Sequence, residues 1–189
     1  HCRDAVQRAE ICLVQADQLN IQGRFLEALP VLRLGLGLLD RPFPETDADA
    51  MAAFPAEFAQ TQAQLAAHAG QDWLAAEEMR DPARLMEMRL ALALSHSSYQ
   101  CASFGTFLVD ACRMVRTCLD NGLSDLSSIA CVAYTTAMSA MKQPYAEGYA
   151  MGKLALTLGE ARDNRHYRIT VYQYFAPFYQ HWAEPLQNT

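Results

Sequence analysis

The sequence predicts an all-α protein, built from antiparallel helix hairpins stacked as a right-handed solenoid of about eight helices. Three observations predict it. Ala, Leu, Gln, Glu, Met and Arg recur while Val and Ile are sparse, a bias toward helix over strand. Apolar residues repeat at three- and four-residue intervals, and strand-like alternation appears nowhere over a useful length. Glycine, proline and Asp/Asn punctuation falls between the periodic runs. With 189 residues, 51% of them hydrophobic, the chain reads as one domain, 1–189, able to bury roughly 70% of its unfolded surface.

The first helix is expected over Arg3–Asn20, with Ala9, Cys12, Ala16 and Leu19 on one stripe. Gly23 stops it. The second spans Phe25–Leu39, burying Ala28, Leu29, Leu32 and Leu36, with Pro30 near enough to its start to be tolerated. Residues 40–49 hold Pro42, Pro44 and several acids, and are expected to be a loop. The third helix covers Ala50–His68, with Pro55 in its first turns. A turn-rich segment, Asp72–Met79, leads to Asp81 as N-cap and Pro82 as the first residue of the fourth helix.

That fourth helix, Pro82–Cys101, is apolar on two sides, as an inner helix of a stack must be. The fifth runs Gly105–Asp120. Leu108, Ala111, Val115 and Cys118 are expected inward, while Asp110, Arg113, Thr117 and Asp120 are expected on the opposite side. Asn121-Gly122 closes it. Ser124 or Asp125 caps the sixth, which runs to Met141, and Gln143-Pro144 opens the seventh, to Arg162; residues 124–162 form a clear hairpin. The eighth, Arg165–Trp182, is expected to bury Val171, Phe175, Phe178 and Trp182, leaving Tyr172 and Tyr179 on another face.

Composition excludes several functions. The net charge of −6 argues against a nucleic-acid binder, whose affinity rests on neutralising phosphates. No run approaches 18 uncharged apolar residues and no leader is present, so neither a membrane span nor secretion is expected and the expected location is cytoplasmic. The ends at His1 and Thr189 are expected of a piece of a longer protein. Cys2, Cys12, Cys101, Cys112, Cys118 and Cys131 form no C-x-x-C pair and read as reduced, mostly buried cysteines.

The histidines, His1, His68, His96, His166 and His181, make no H-E-x-x-H and no i, i+4 pair, so no metal site is expected. His96 lies between Ser95 and Ser97, but adjacent helix positions point apart and no G-x-S-x-G elbow accompanies them. Gly35-x-Gly37 lacks the strand and third glycine of a dinucleotide cradle. No catalytic residue and no cofactor is expected.

Residues 9–42 show an ordered pattern: Ala16, Leu19, Gly23, Phe25, Ala28 and Pro42. Small residues stand where paired helices approach, and large ones fill around them. This resembles a tetratricopeptide repeat, whose hairpins bury their faces only by stacking. A second small-residue stripe, Gly148, Gly152, Ala155 and Gly159, lies on one face of the seventh helix. Its expected partner is the sixth helix at Ala133, Thr136 and Ala137.

The runs Ser127-Ser128-Ile129-Ala130 to Tyr134, Glu147-Gly148-Tyr149-Ala150-Met151-Gly152-Lys153-Leu154-Ala155-Leu156 and His181-Trp182 look like the helical repeat region of large bacterial signalling proteins. Those proteins join a STAND-type ATPase to such repeats and to sensor, histidine-kinase, cyclase or DNA-binding domains. The resemblance implies a non-catalytic module for protein contact and signal relay. It also implies a second reading, a small-ligand sensor within a transcriptional regulator. There is no G-x-x-x-x-G-K-[ST] loop and no kinase catalytic loop here, so the neighbours' activities do not transfer. The expected partners are a protein or peptide, neighbouring domains of the same chain, or a second copy. Arg113, Arg116, Tyr149 and Lys153 are the candidates for contacting an acidic segment.

Overall fold

A computed structural model describes residues 4–161 and 165–180. Among these there are eight α-helices and no strand: α1 (Ala5–Ile21), α2 (Phe25–Leu38), α3 (Asp47–Ala67), α4 (Pro82–Gln100), α5 (Phe104–Asn121), α6 (Ser127–Ala140), α7 (Tyr145–Ala161) and α8 (Arg165–Phe175). A wide π-turn, Ala176–Gln180, continues α8. His1, Cys2, Arg162, His181 and Trp182 lie outside the described residues.

Local chemistry fixes most of the ends. Asp4 caps α1 by accepting from the Val6 amide, and Asp81 caps α4 at Ala83, with Pro82 where its missing N–H has little consequence. The expected loop 40–49 is shorter than its composition suggests. Thr46 and Asp49 form a reciprocal capping box, so Asp47, Ala48 and Asp49 already belong to α3. Pro55 therefore stands more than two turns into α3, on its exposed face. The start of α6 also moves. The Ser124 hydroxyl accepts from the Leu126 amide and the Ser127 hydroxyl from the Ser124 amide, which makes a tight turn before Ser127.

Packing follows chain order with one exception. α1 packs on α2, α4 on α5, and α6 on α7; α4 also rests on α1 and α2, α6 on α5, and α8 on α6 and α7. α3 departs from this order and lies along α5. Leu32, Leu90, Leu94, Phe107, Tyr134 and Phe175 are fully buried and mark the continuous core. A parallel bridge ties Glu78 to Leu123: the Met79 amide donates to the Leu123 carbonyl, and the Leu123 amide to that of Glu77. Gly122, at φ 89°, makes this approach feasible, since a Cβ there would sit 2.5 Å from the Glu77 oxygen.

Two glycines of the α7 stripe have aromatic neighbours beside the sixth helix expected there. Gly148, Gly152, Ala155 and Gly159 are all buried. A Cβ on Gly148 would meet the Tyr179 ring at 2.4 Å and one on Gly152 the Phe175 ring at 2.1 Å. Gly148 and Gly152 thus receive aromatic rings from α8 and its π-turn, while the atoms nearest Gly159 are those of Ser128 on α6, which also packs along α7. The aromatic stripe is corrected. Val171 and Phe175 are buried, but Phe178 is exposed and Tyr179 takes its place inside. The π-turn contains Pro177, which has no N–H to donate, and its wider winding keeps residue 179 beneath residue 175. No helix among the described residues is long and apolar enough to cross a membrane.

Candidate functional site

A half-open groove of about 460 Å³ is walled by α2, α3, α4, α5 and the connection between α2 and α3. Its apolar floor includes Leu36, Met88, Ala91 and Met114, and charged groups converge above it. Asp110 and Asp120 of α5 both line it. Ten residues of helix put them about 15 Å apart.

Two ion-pair clusters stiffen the banks. On the first, Glu57 of α3 receives both arginines that the sequence singled out. The Arg113 guanidinium donates to Glu57 Oε1 through Nε at 2.9 Å and to the Pro42 carbonyl at 2.8 Å, lying 4.9 Å from the centroid of the Phe43 ring. Arg116 donates to Glu57 Oε2 and, at 3.0 Å, to the Glu57 carbonyl. Burial alone would raise the Glu57 pKa, but the two guanidinium groups hold it below the usual carboxylate range. On the second bank, Glu87 of α4 is buried and receives Arg41, Arg84 and the Thr117 hydroxyl. Arg84 also donates to the Leu39 carbonyl, which fastens the end of α2 to α4.

Asp110 and Thr117, expected on a solvated side, are about 1% exposed. The Ser95 hydroxyl donates to Asp110 Oδ2 at 2.6 Å. Burial pushes the Asp110 carboxyl up to about 8, against the Ser95 hydrogen bond and the nearby Arg113 charge and with help from Glu87. At neutral pH it is a protonated acid facing a cavity. At the other end, Gln64 donates to Asp120 at 3.2 Å, while its own Oε1 is buried without a partner. Asp120 fixes that amide's orientation, since turning it over would set two acceptors face to face.

The four candidate contact residues do not form one site. Arg113 and Arg116 share the groove, with their donors directed to Glu57 and backbone carbonyls. Tyr149 and Lys153 lie on α7, where the ammonium is 5.9 Å from the Tyr149 ring centroid. Sequence reasoning missed Asp110, Glu87 and Glu57. A signal for Asp110 was available: it stands between Val109 and Ala111, both fully buried, one helical heptad from Thr117.

Catalytic geometry is not assembled around the serines. Ser97 bonds Asn20 and the Ala93 carbonyl, Ser98 the Ser95 carbonyl, and the His96 ring meets Phe25 edge-on at 5.8 Å. No group of three His, Cys, Asp or Glu side chains is placed to hold a metal among the described residues. The buried thiols are deactivated: burial pushes Cys112 up to about 12 and Cys131 well above its ordinary value. A second, smaller hollow of about 230 Å³ is lined by His68, Trp73, Glu77 and Leu123, beside the clasp at Glu78.

No family model, no curated protein and no solved structure matches the chain.

Proposed function

We propose that this chain is a non-catalytic interaction module that receives an extended polypeptide segment, from a partner protein or a neighbouring domain, in the groove along α5. The observation that carries this reading is the groove itself: open on one side, walled by four helices, and held in shape by ion pairs from its own banks. About 15 Å of length suits roughly four extended residues. The order of helix packing supports it further, and we read it as tetratricopeptide-like. α1 pairs with α2, α4 with α5 and α6 with α7, and α4 and α8 each lean on both helices of an earlier pair. α3 is then an insertion that builds one bank. In this reading the module works in the cytoplasm and relays occupancy of its groove to the rest of a signalling protein.

A small-ligand sensor is the second reading, favoured by one observation: the volume falls within the range of small-molecule sites and buried polar groups converge on it. A photo-crosslinking side chain placed at Gln60, on the groove wall, tests the choice. The expected result is a covalent adduct with a polypeptide, absent when the same group replaces exposed Glu10 on α1. Absence of any adduct specific to Gln60 would overturn the polypeptide reading.

A further inference from the structure

We infer that the outward face of α1 is a second docking surface, whose occupant is an amphipathic helix of a partner protein with an aliphatic seam and a basic flank. The inference goes beyond the polypeptide reading above, because no α1 residue walls the groove along α5.

α1 is apolar on two sides. Ala9, Cys12 and Ala16 are buried where the helix packs on α2 and α4. Away from them, Ile11, Val14 and Ile21 are 50%, 55% and 79% exposed. A single exposed aliphatic side chain is ordinary on a protein surface. Three in line are not. Exposed Gln7 and Gln18 complete the series 7, 11, 14, 18, 21, in which steps of four and three residues alternate. That is the heptad spacing by which one helix seats its seam in another. At the rise of an α-helix the series runs about 21 Å along α1. The two glutamines interrupt the aliphatic side chains, and polar groups within a seam fix the register in which a second helix can lie.

Charge decides the occupant. On the heptad, Glu10 and Asp17 flank the seam along one edge, and Arg8, Gln15 and Gln22 along the other; all are exposed. No salt bridge among the described residues uses Glu10 or Asp17. A second copy of the chain matches these acids poorly. Laid antiparallel on itself, α1 brings Glu10 toward Asp17, like charge against like; laid parallel, it brings the acids toward Gln15 and Gln22. A helix with lysine or arginine on the flank that meets Glu10 and Asp17 supplies the missing charge, and its own aliphatic seam covers Ile11, Val14 and Ile21.

Three labelled helical peptides of about three heptads test it. The first has leucine at the same four-three spacing, lysine on one flank and glutamine on the other. The second replaces the lysines with glutamate, and the third keeps the first composition but scrambles the seam. In fluorescence anisotropy on the whole chain, the lysine peptide should bind about tenfold tighter than either of the others. Its amide chemical-shift changes should centre on Ile11, Val14 and Ile21. Val14→Gln should weaken it by about tenfold while leaving the thermal midpoint in place, since that side chain is exposed. Glu10→Lys/Asp17→Lys should invert the preference toward the glutamate peptide, which a loss of folding cannot do. Equal binding of all three peptides, or a preference unmoved by the charge reversal, would overturn the inference. Self-association of the chain in sedimentation, abolished by Val14→Gln, would overturn it as well by making a second copy the occupant. An occupant of this face trapped from Glu10 is a different polypeptide from the one trapped at Gln60, so failure here leaves the groove reading standing.

Discussion

The two halves of the molecule hold their helices together by different means. From α2 to α5 buried ion pairs are added to the apolar core: Glu57 grips two arginines and Glu87 two more. From α6 to the π-turn the contacts are steric, with glycines of α7 receiving the rings of Phe175 and Tyr179. The first arrangement leaves a groove between its banks, whereas the second closes its seam. Even between α3 and α5 the two means coexist, since Gly105 of α5 lies against the α3 backbone at Asp47 and Met51 while Glu57 and its arginines span the groove further along. The groove and the seam thus differ in the residues that line them, charged in the one and small or aromatic in the other.

Breaking the electrostatic half at its hub should have the largest effect. Glu57→Ala leaves Arg113 and Arg116 without their carboxylate, at 28% and 14% side-chain exposure, and should cost about 3–5 kcal/mol in chemical denaturation. A smaller loss would show that solvent, rather than Glu57, balances those charges. Gly152→Leu attacks the steric half and should cost about 3 kcal/mol, the upper part of the usual overpacking range. Trimming the opposing ring in Gly152→Leu/Phe175→Ala should make the two costs non-additive, and strict additivity would deny that they meet.

Asp110 gives an effect that depends on pH. Burial lets the folded chain hold this proton up to about pH 8, whereas an ordinary aspartate releases it near 3.8. Between those limits the folded state binds the extra proton, so this residue makes stability fall as pH rises, by up to about 1.4 kcal/mol per pH unit. Asp110→Asn keeps an acceptor for Ser95 and should flatten that slope above pH 5; an unchanged profile would place the ionisation elsewhere. The smallest effect is expected for Arg24→Ala. Its pair with Glu27 is about half exposed on both sides, so solvent and salt screen it and the denaturation midpoint should not move measurably.

The helices were legible because each depends on short-range information: spacing of apolar residues, caps such as Asp81, and stops such as Gly23. The groove was much less so. Polar residues on a helix read as surface, and only the approach of α3 to α5 turns Asp110, Arg113 and Thr117 into the lining of a cavity. That approach skips α4 in sequence, so no local pattern announces it. The glycine stripe shows an intermediate case. Its small residues promised close contact, which Gly152 and Phe175 make. Its partner depended on Pro177 widening the turn that brings Tyr179 inward. A straight-helix projection puts Phe178 there instead.

The bridge between Glu78 and Leu123 has a topological consequence. Two backbone hydrogen bonds fasten the segment before α4 to the turn after α5, so the polypeptide from Met79 to Gly122 is a closed circuit within the fold. α4 and α5 can separate only by opening that circuit or by melting a helix. The pair that forms the groove's base should therefore persist as one cooperative block while α1 or α8 frays from either side.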